Sequence, residues 1–444
     1  MVYRKMARHQ LKLDHVVWLN TKKNMKVLWI TNGPIAIHRK QLGIGSAQGG
    51  GWMDAAYESI KNCPEVKVGF ATIYDCSTLL CHKAEGVKMY AVPDDRNEGL
   101  YLYKKADNIA LWKLIADDFQ PDILHIWGTE MTHGLCAMAA MPNVPAVVYL
   151  QGLMAQIYNH DQSGIDLATK IRYTTIRDII ENKGIHASSP FEKKRAEIER
   201  QMISKAKNVL LENDWSAINC KAISPDCRIF HSLLPINKHF ADFEWNADKM
   251  EPHTIFTVAG GYPIKGHHIL LKALAVIKRW YPDVKLYIPG YNPLNDDKGL
   301  RKLLPHGYTR YVKSLIKKYD LSGNIIYTGK LSMNEMATYM SKCNVFAMPS
   351  AIENHSSTLI EAMMVGAPCV TSYVGGVADY LKHGENGYMY RFDEPETLAG
   401  YIMKLFDDRE LAVYIGDNAK RAARNSRLSI NIADDFLNAY NSIA

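Results

Sequence analysis

Short apolar segments alternate with longer segments of helical spacing along most of the chain. In the first half, the apolar segments have the length of strands and end at Gly, Pro or polar breaks. Strands are predicted there at Lys26–Thr31, Val66–Gly69, Asp122–Ile126, Ala146–Leu150 and Val209–Leu211. Alternation of this kind is typical of a parallel sheet that is covered by helices on both faces.

The alternation stops once and then starts again. Residues 235–252 lose the periodicity and are mainly polar, which indicates a linker. Beyond the linker, strands are predicted at Ile255–Ala259, Lys285–Pro289, Ile325–Thr328, Val345–Met348 and Cys369–Ser372. We therefore expect an α/β protein with two doubly wound sheets and a cleft between them. Ligands of such sheets bind at the carboxyl ends of the strands.

Composition and charge narrow the range of partners. The 444 residues predict two or three domains, and 47% apolar with 22% charged residues is ordinary for a globular protein. The net charge is +7, but residues 1–40 hold nine Lys and Arg against one Asp, while the rest holds 44 against 45. A nucleic-acid-binding protein would spread its cations over one face of a domain, so this distribution argues against nucleic acid.

Residues 1–24 are interpreted as an appendage to the fold. Two alternatives stay open for this basic segment: a solvated tail, or an amphipathic helix that lies peripherally on a membrane. Its only apolar patch is Val16–Leu19 and no small-residue cleavage site follows, which argues against a secretory signal. The eight cysteines are scattered without a C-x-x-C pair, which indicates reduced thiols and a cytoplasmic location.

A dense polar cluster follows the predicted strand Val345–Met348. A helix is predicted here, with Ser356 or Ser357 as its N-cap and Gly366 at its end. The free N–H groups at the start of such a helix suit a phosphate. Glu353 before the helix and Glu361 within it can accept hydrogen bonds from sugar hydroxyls.

A glycine-rich turn follows the strand at Ile255–Ala259. Gly260 lets the backbone approach a ligand closely, and Lys265 can place its ammonium on a diphosphate. The alternative is an ordinary turn with a surface lysine.

A second glycine-rich stretch, residues 43–51, precedes a predicted helix at Trp52–Ile60. It begins about a dozen residues after Thr31, too far for the first tight turn of a dinucleotide-binding fingerprint, which argues against a nicotinamide enzyme. Gly49 and Gly50 are instead expected to close over a phosphate or a sugar, with a plain surface loop as the alternative.

Two polar residues follow the strand at Asp122–Ile126. Glu130 and His133 can orient sugar hydroxyls or transfer a proton. His133 can equally be a cap or core histidine, and His125, within the strand end, is expected to be one.

The combination of these motifs resembles the donor half of retaining glycosyltransferases of family 4, the glycosyl transferases group 1. The stretches that carry the likeness are Glu353-x7-Glu361-Ala362-Met363, Gly366-Ala367-Pro368, Ser372-Tyr373-Val374-Gly375-Gly376, Gly384-Glu385-Asn386-Gly387, Lys265-Gly266 and Gly49-Gly50-Gly51. The likeness runs from about Met25 to the C-terminus.

The resemblance implies a GT-B fold, in which two Rossmann-like domains face each other across a cleft. Residues 25–240 with 428–444 would form the acceptor-binding domain, and residues 250–427 the domain that binds a nucleotide diphosphate sugar. Glu353 would contact the donor sugar, Glu361 the ribose, and Lys265 the diphosphate. The N–H groups of the helix start would also contact the diphosphate, namely those of His355, Ser356, Ser357 and Thr358. Gly49 and Gly50 would approach the same diphosphate or the transferred sugar.

The chain departs from the family pattern at two positions. Gly260 stands where an Arg is common, so Arg39 or Lys40 of the opposite domain would be alternative sources of positive charge. Gln151 stands where many relatives have a His in the acceptor-side loop.

The leading hypothesis is a retaining glycosyltransferase that extends a surface polysaccharide on a glycan or lipid-linked acceptor. No cofactor or metal is expected, since no Asp-x-Asp triplet occurs and the paired acids lie away from the motifs. The alternatives are a protein that binds a nucleotide sugar without transferring it, and a nucleotide-sugar epimerase of the same fold.

Overall fold

The structure is a computed structural model that describes residues 24–45, 51–93, 106–181, 184–185, 190–290, 292 and 304–444. Within these residues the chain forms an eight-stranded sheet and a six-stranded sheet, joined in tandem. The predicted pair of sheets with α/β alternation is therefore confirmed. Gly49, Gly50 and residues 1–23 of the predicted appendage lie outside the described residues.

The first sheet is parallel except at one edge. Its strands are β1 Met25–Thr31, β2 Val66–Tyr74, β3 Leu80–Ala84, β4 Val87–Pro93, β5 Ile123–Trp127, β6 Ala146–Tyr149, β7 Asn208–Leu211 and β8 Arg228–His231. Their order is β3-β4-β2-β1-β5-β6-β7-β8, with β3 antiparallel to β4. In the centre, Val27 pairs with Val68 on one side and with Ile123 on the other.

Helices cover both faces of this sheet. They are α1 Ala36–Gln41, α2 Gly51–Ile60, α3 Ala106–Phe119, α4 His133–Ala140, α5 Met154–His160, α8 Pro190–Ala206 and α9 Asp214–Ile223. Between α5 and α8, the short helices α6 Leu167–Tyr173 and α7 Ile176–Ile180 pack against the second domain instead. Because successive side chains of a strand point to opposite faces, Val27 and Trp29 of β1 lie in one apolar layer and Leu28 and Ile30 in another.

The second sheet is entirely parallel. Its strands are β9 Thr254–Phe256, β10 Lys285–Pro289, β11 Ile325–Gly329, β12 Val345–Met348, β13 Cys369–Ser372 and β14 Tyr388–Tyr390. Their order is β11-β10-β9-β12-β13-β14. Its helices are α10 His267–Ile277, α11 Gly307–Lys318, α12 Met333–Lys342, α13 Ser357–Val365, α14 Pro395–Asp407 and α15 Arg409–Arg427. In the described part of the chain, no helix combines the length and apolar character that a bilayer span needs.

The final helix, α16 Ile432–Ile443, returns to the first sheet. Its Phe436 and Tyr440 are fully buried in the same apolar layer as Trp29. The Tyr440 hydroxyl accepts a hydrogen bond from Trp29 Nε1 at 3.2 Å and lies 2.6 Å from Nδ1 of His125. Burial lowers the pKa of His125 to about 3, so this core histidine is neutral.

Four strands lie outside the prediction, and three of them are sheet edges. β3, β8 and β14 each pair with only one neighbour, and the side chains of β3 and β8 are partly or largely exposed. β3 and β8 carry mixed polar sequences, so they lack the continuous apolar run that marked the central strands, and β14 is only three residues long. The fourth, β4, is the hairpin partner of β3.

The segment predicted as a polar linker is packed into the second domain. A 3-10 helix spans Lys238–Asp242, and Phe240 and Trp245 are buried in the second core. Trp245 Nε1 donates to the carbonyl of Cys343 at 2.7 Å. Phe240 and Trp245 are isolated aromatic residues among polar ones. They show neither helical nor strand spacing, so the sequence pattern did not predict their burial.

Candidate active site

The site forms where two neighbouring strands of the second sheet end. β9 and β12 are paired, with Val345 opposite Ile255, so the loops that follow them lie side by side. The first loop carries Lys265 at the end of a short 3-10 helix, and the second carries Glu353. Lys265 Nζ lies 2.6 Å from Glu353 Oε1. The ammonium and the carboxylate neutralise each other, so an anionic ligand would compete with Glu353 for Lys265.

Glycines press against the backbone of the Glu353 loop. Gly266 has φ 69°, and a Cβ there would overlap the carbonyl oxygen of Pro349. Gly375 has φ 53°, and a Cβ there would overlap the carbonyl oxygen of Glu353, which also accepts from the Gly376 N–H at 3.2 Å. Glycine is therefore required at positions 266 and 375 for steric reasons, because a side chain at either one would displace the loop that carries Glu353.

The first domain holds the same loop from the other side. The buried Asn213 donates through Nδ2 to the carbonyl of Asn354 at 2.9 Å, and the Ser216 hydroxyl donates to the Asn354 side chain. Asn354 Nδ2 in turn donates to the carbonyl of Gln151 at 3.1 Å. The residue next to Glu353 thus bridges the two domains.

Helix α13 begins directly after this loop. Ser356 is its N-cap, because its side chain accepts from the N–H of Leu359 at 3.3 Å, and Gly366 ends it at φ 88°. Both predicted boundaries are confirmed, and of the two candidate caps the structure selects Ser356. The N–H groups of Ser357 and Thr358 have no partner inside the helix, so they and the helix dipole offer positive charge at the loop.

Glu361 lies in the second turn of α13. It has no hydrogen-bond or ion-pair partner within the described part of the chain, and burial raises the pKa of its carboxyl from 4.5 to about 7. A partly buried carboxyl without such a partner is suited to hydrogen-bonding a ligand.

The ring of His355 belongs to a buried polar network. Its Nε2 contacts the Arg427 guanidinium and lies 3.7 Å from Glu212 Oε2. Burial first and Arg427 second hold the pKa of His355 well below its usual range. The ring is therefore neutral, and it links Arg427 at the end of α15 with Glu212 of the first domain. The sequence had predicted a role only for the backbone N–H of His355.

A cavity of about 960 Å³ lies between the domains. Lys265, Glu353 and Tyr262 line it from the second domain, and Gln151 and Arg195 line it from the first. Arg195 was missed, since its helix α8 reads as a run of surface charges. Its Nη1 lies 3.3 Å from Glu192, and its buried Nε–H has no hydrogen-bond partner in the described part of the chain.

The other predicted residues do not line this cavity, and these include Ser356, Ser357, Thr358 and Glu361 around the start of α13. Glu130 accepts from Asn32 Nδ2 at the carboxyl edge of the first sheet, and His133 is buried at the start of α4. Gly260 lies beside Lys265, but the cavity wall begins with Gly261. Arg39 and Lys40 lie on α1 and are also absent from the cavity wall.

Glu199 is a second residue that sequence reasoning missed. It is fully buried and accepts from the N–H groups of Met154 and Ala155, at 2.9 and 3.0 Å, and from the Thr129 hydroxyl at 2.8 Å. Because Met154 lines the cavity, Glu199 positions its first-domain wall. No group of three or more His, Cys, Asp or Glu side chains suited to a metal ion occurs among the described residues.

Comparisons with known proteins agree with this geometry. Residues 239–422 match the family model of glycosyl transferases group 1, which confirms the resemblance for that part of the chain. An uncharacterized glycosyltransferase of Methanocaldococcus jannaschii is 28% identical over 113 residues, which cover 26% of this chain and 32% of that protein. The chain spans about a third to a half of the length of the curated relatives it matches.

Solved structures cover nearly the whole chain. Sucrose-phosphate synthase from Thermosynechococcus elongatus has a TM-score of 0.65 at 16% identity, covering 94% of this chain and 99% of that chain. Anabaena Alr3699/HepE in complex with UDP-glucose has a TM-score of 0.63 at 15% identity, covering 94% and 100%. These likenesses confirm the predicted GT-B fold.

The glycine packing predicts a difference between two substitutions. Gly384→Ala should cost about 1–2 kcal/mol, because Gly384 has φ 76° but open space around a Cβ. Gly266→Ala should cost clearly more, since the Pro349 carbonyl must also move. Urea unfolding of both variants measures this, and equal losses would contradict the steric role of Gly266.

The partly buried Glu361 predicts a pH-dependent stability. Its carboxyl loses its proton near pH 4.5 when unfolded and near pH 7 when folded, so its contribution falls as pH rises through this window. Above pH 7 the ionised Glu361 lowers the free energy of unfolding by roughly 3 kcal/mol. Glu361→Gln should therefore gain stability relative to the natural chain between pH 4.5 and 7. Unfolding at a series of pH values checks this. The exposed Glu385→Gln is the matched control, and parallel pH profiles for Glu361→Gln and the natural chain would refute the assignment.

Proposed function

We propose that this chain is a retaining glycosyltransferase that moves a sugar from a nucleotide diphosphate sugar to a glycan acceptor. The observation that carries the proposal is the Lys265–Glu353 pair beside the start of α13, at a cavity between the domains. It lies in the segment that matches glycosyl transferases group 1. The UDP-glucose bound by the Anabaena protein supports a uridine donor as the first to test.

The donor would lie along the loops of the second domain. Lys265 and the N–H groups of Ser357 and Thr358 would stabilise the charge that develops on the leaving diphosphate. Glu353, displaced from Lys265, would accept hydrogen bonds from the donor sugar. Glu361 would hold the ribose hydroxyls. The bond between the anomeric carbon and the diphosphate oxygen would break, and a bond to the acceptor hydroxyl oxygen would form with retention at the anomeric carbon. The proton of that hydroxyl would pass to the departing diphosphate.

The acceptor would bind against the first-domain wall of the cavity. Arg195, Glu192 and Gln151 give this wall both charges and an amide, which suits the hydroxyls of a sugar. We assign the protein to the synthesis of a surface polysaccharide, with a glycan or lipid-linked acceptor. The eight free cysteines support a cytoplasmic location, where thiols stay reduced.

We further propose that transfer needs no cofactor or divalent metal. Lys265 and the start of α13 supply positive charge where the diphosphate would lie. Turnover is therefore expected to persist in EDTA, and a strict requirement for added metal would contradict this part of the proposal.

One observation favours a second function, that of a protein that only binds a nucleotide sugar. Lys265 is already paired with Glu353, and Gly260 adds no second cation to this loop. Release of free or transferred sugar by the purified protein would exclude this alternative.

Replacing Glu353 separates binding from transfer. Glu353→Gln removes the carboxylate that competes for Lys265, so nucleoside diphosphate binding should be retained or tightened. Turnover of the nucleotide sugar should fall by about a hundredfold or more, because the sugar loses its charged acceptor group. Product release by chromatography and calorimetric binding measure the two effects.

The control for this experiment is Glu410→Gln, an exposed glutamate on α15. It should leave both quantities unchanged. Full turnover in a folded Glu353→Gln variant would refute the proposed role.

A further inference from the structure

Two short helices, α6 and α7, expose an unusual amount of aliphatic surface. Leu167, Ile171, Ile176, Ile179 and Ile180 are each 63% to 78% exposed, and we call them the aliphatic patch. Isolated exposed aliphatic residues are ordinary, but five within 14 consecutive positions mark an interaction site. The sequence alone did not reveal this patch, since its spacing equals that of a buried face.

The patch is firmly attached on its inner side. The buried Asp178 of α7 accepts from the Gly307 N–H at 2.9 Å and lies 2.9 Å from His306 Nδ1. Asp178 also completes a capping box with Thr175. A Cβ on Gly307 would come within 2.5 Å of the Asp178 carboxylate, so the second domain approaches α7 at backbone distance. The exposure of the patch therefore belongs to a fixed surface.

Residues on both sides of the patch also anchor the segment. Ile165 and Ile185 are buried in the second core, and the rings of Tyr173 and Tyr311 lie 5.3 Å apart. The helices α6 and α7, which belong to the first half of the chain, therefore pack against the second domain. Polar and aromatic groups face the protein, while isoleucines at positions 176, 179 and 180 form one outward face with helical spacing.

Three cations and two exposed carboxylates lie beside the patch, and each of the two carboxylates accepts a hydrogen bond from a neighbour in the same segment. Lys170 and Arg172 lie on α6 between and next to the patch residues. Arg177 on α7 is paired with Glu181 and donates to the carbonyl of Leu304. The nearby Asp166 carboxylate is engaged as the N-cap of α6, where it accepts from Thr169. Aliphatic side chains flanked by cations are the composition of a surface that rests on anionic lipid.

The patch lies one helix away from the cavity. His306, which contacts Asp178 on the inner side of α7, also lines the cavity. Asp161, Gln162 and Gly184, which flank the two helices in sequence, line it as well. A surface that seats the patch would therefore lie near the cavity wall.

We propose that the aliphatic patch docks this protein on an anionic lipid bilayer and holds the cavity beside the membrane surface. A second copy of the chain fits less well, because a two-fold contact through the patch would bring Lys170 and Arg172 of each copy towards those of the other. The inference is independent of the proposed transfer reaction, although it supplies the place where a lipid-linked acceptor would be met. It also differs from binding through the basic residues 1–24.

Vesicle sedimentation of the full chain tests the proposal. Vesicles of equal parts phosphatidylcholine and phosphatidylglycerol should carry down the natural chain, and phosphatidylcholine alone should carry down much less. The triple variant Ile176→Ser, Ile179→Ser, Ile180→Ser should lose about tenfold or more of its affinity for the mixed vesicles. Lys170→Gln with Arg172→Gln should weaken binding and reduce its dependence on salt.

The matched control is Leu114→Ser with Ile218→Ser, since these residues are 57% and 69% exposed on other helices. It should bind like the natural chain, and thermal unfolding verifies that every variant is folded. Failure of the natural chain to bind, or undiminished binding by the triple variant, would overturn the proposal. So would a concentration-dependent dimer in sedimentation velocity that the triple variant abolishes. Turnover of a soluble donor is measured in parallel, so that loss of membrane binding is distinguished from failure of the transferase assignment.

Discussion

The arrangement of this molecule depends on one constraint, the confinement of the loop that carries Glu353. Gly266 and Gly375 leave no room for a side chain against its backbone, and Asn354 is hydrogen-bonded by residues of the other domain. The loop can therefore move only if the second domain loosens or the two domains separate. Because the preceding residue, Glu353, is paired with Lys265, the electrostatics of the site are coupled to the contact between the domains.

This coupling matters for the proposed binding of a diphosphate, because the site holds little net positive charge. The cations of the cavity wall, Lys265 and Arg195, each face a carboxylate, Glu353 and Glu192. Ion pairs of this kind hold the charges in place without adding net charge, and the start of α13 adds its dipole. An anionic ligand that replaced the Glu353 carboxylate at Lys265 would exchange one charged hydrogen bond for another.

Much of the fold could be predicted from the sequence, because central parallel strands are continuous apolar runs and the cap of α13 has a local signature. The Lys265 and Glu353 motifs were also visible, since turn glycines and loop carboxylates leave local patterns. Arg195, Glu199 and the Asn213–Asn354 bridge were not predictable, because their roles arise from contacts between segments far apart in sequence. The packing of α6 and α7 against the second domain was not predictable for the same reason.

The central claim is that Lys265 and its loop bind a nucleoside diphosphate. Calorimetric titration of the full chain with UDP and the other nucleoside diphosphates tests it most directly. At least one should bind the natural chain, and Lys265→Gln should weaken that binding by roughly ten- to a hundredfold, the worth of one charge-assisted hydrogen bond. A folded chain that binds none of them, or that binds equally well without Lys265, would contradict the account.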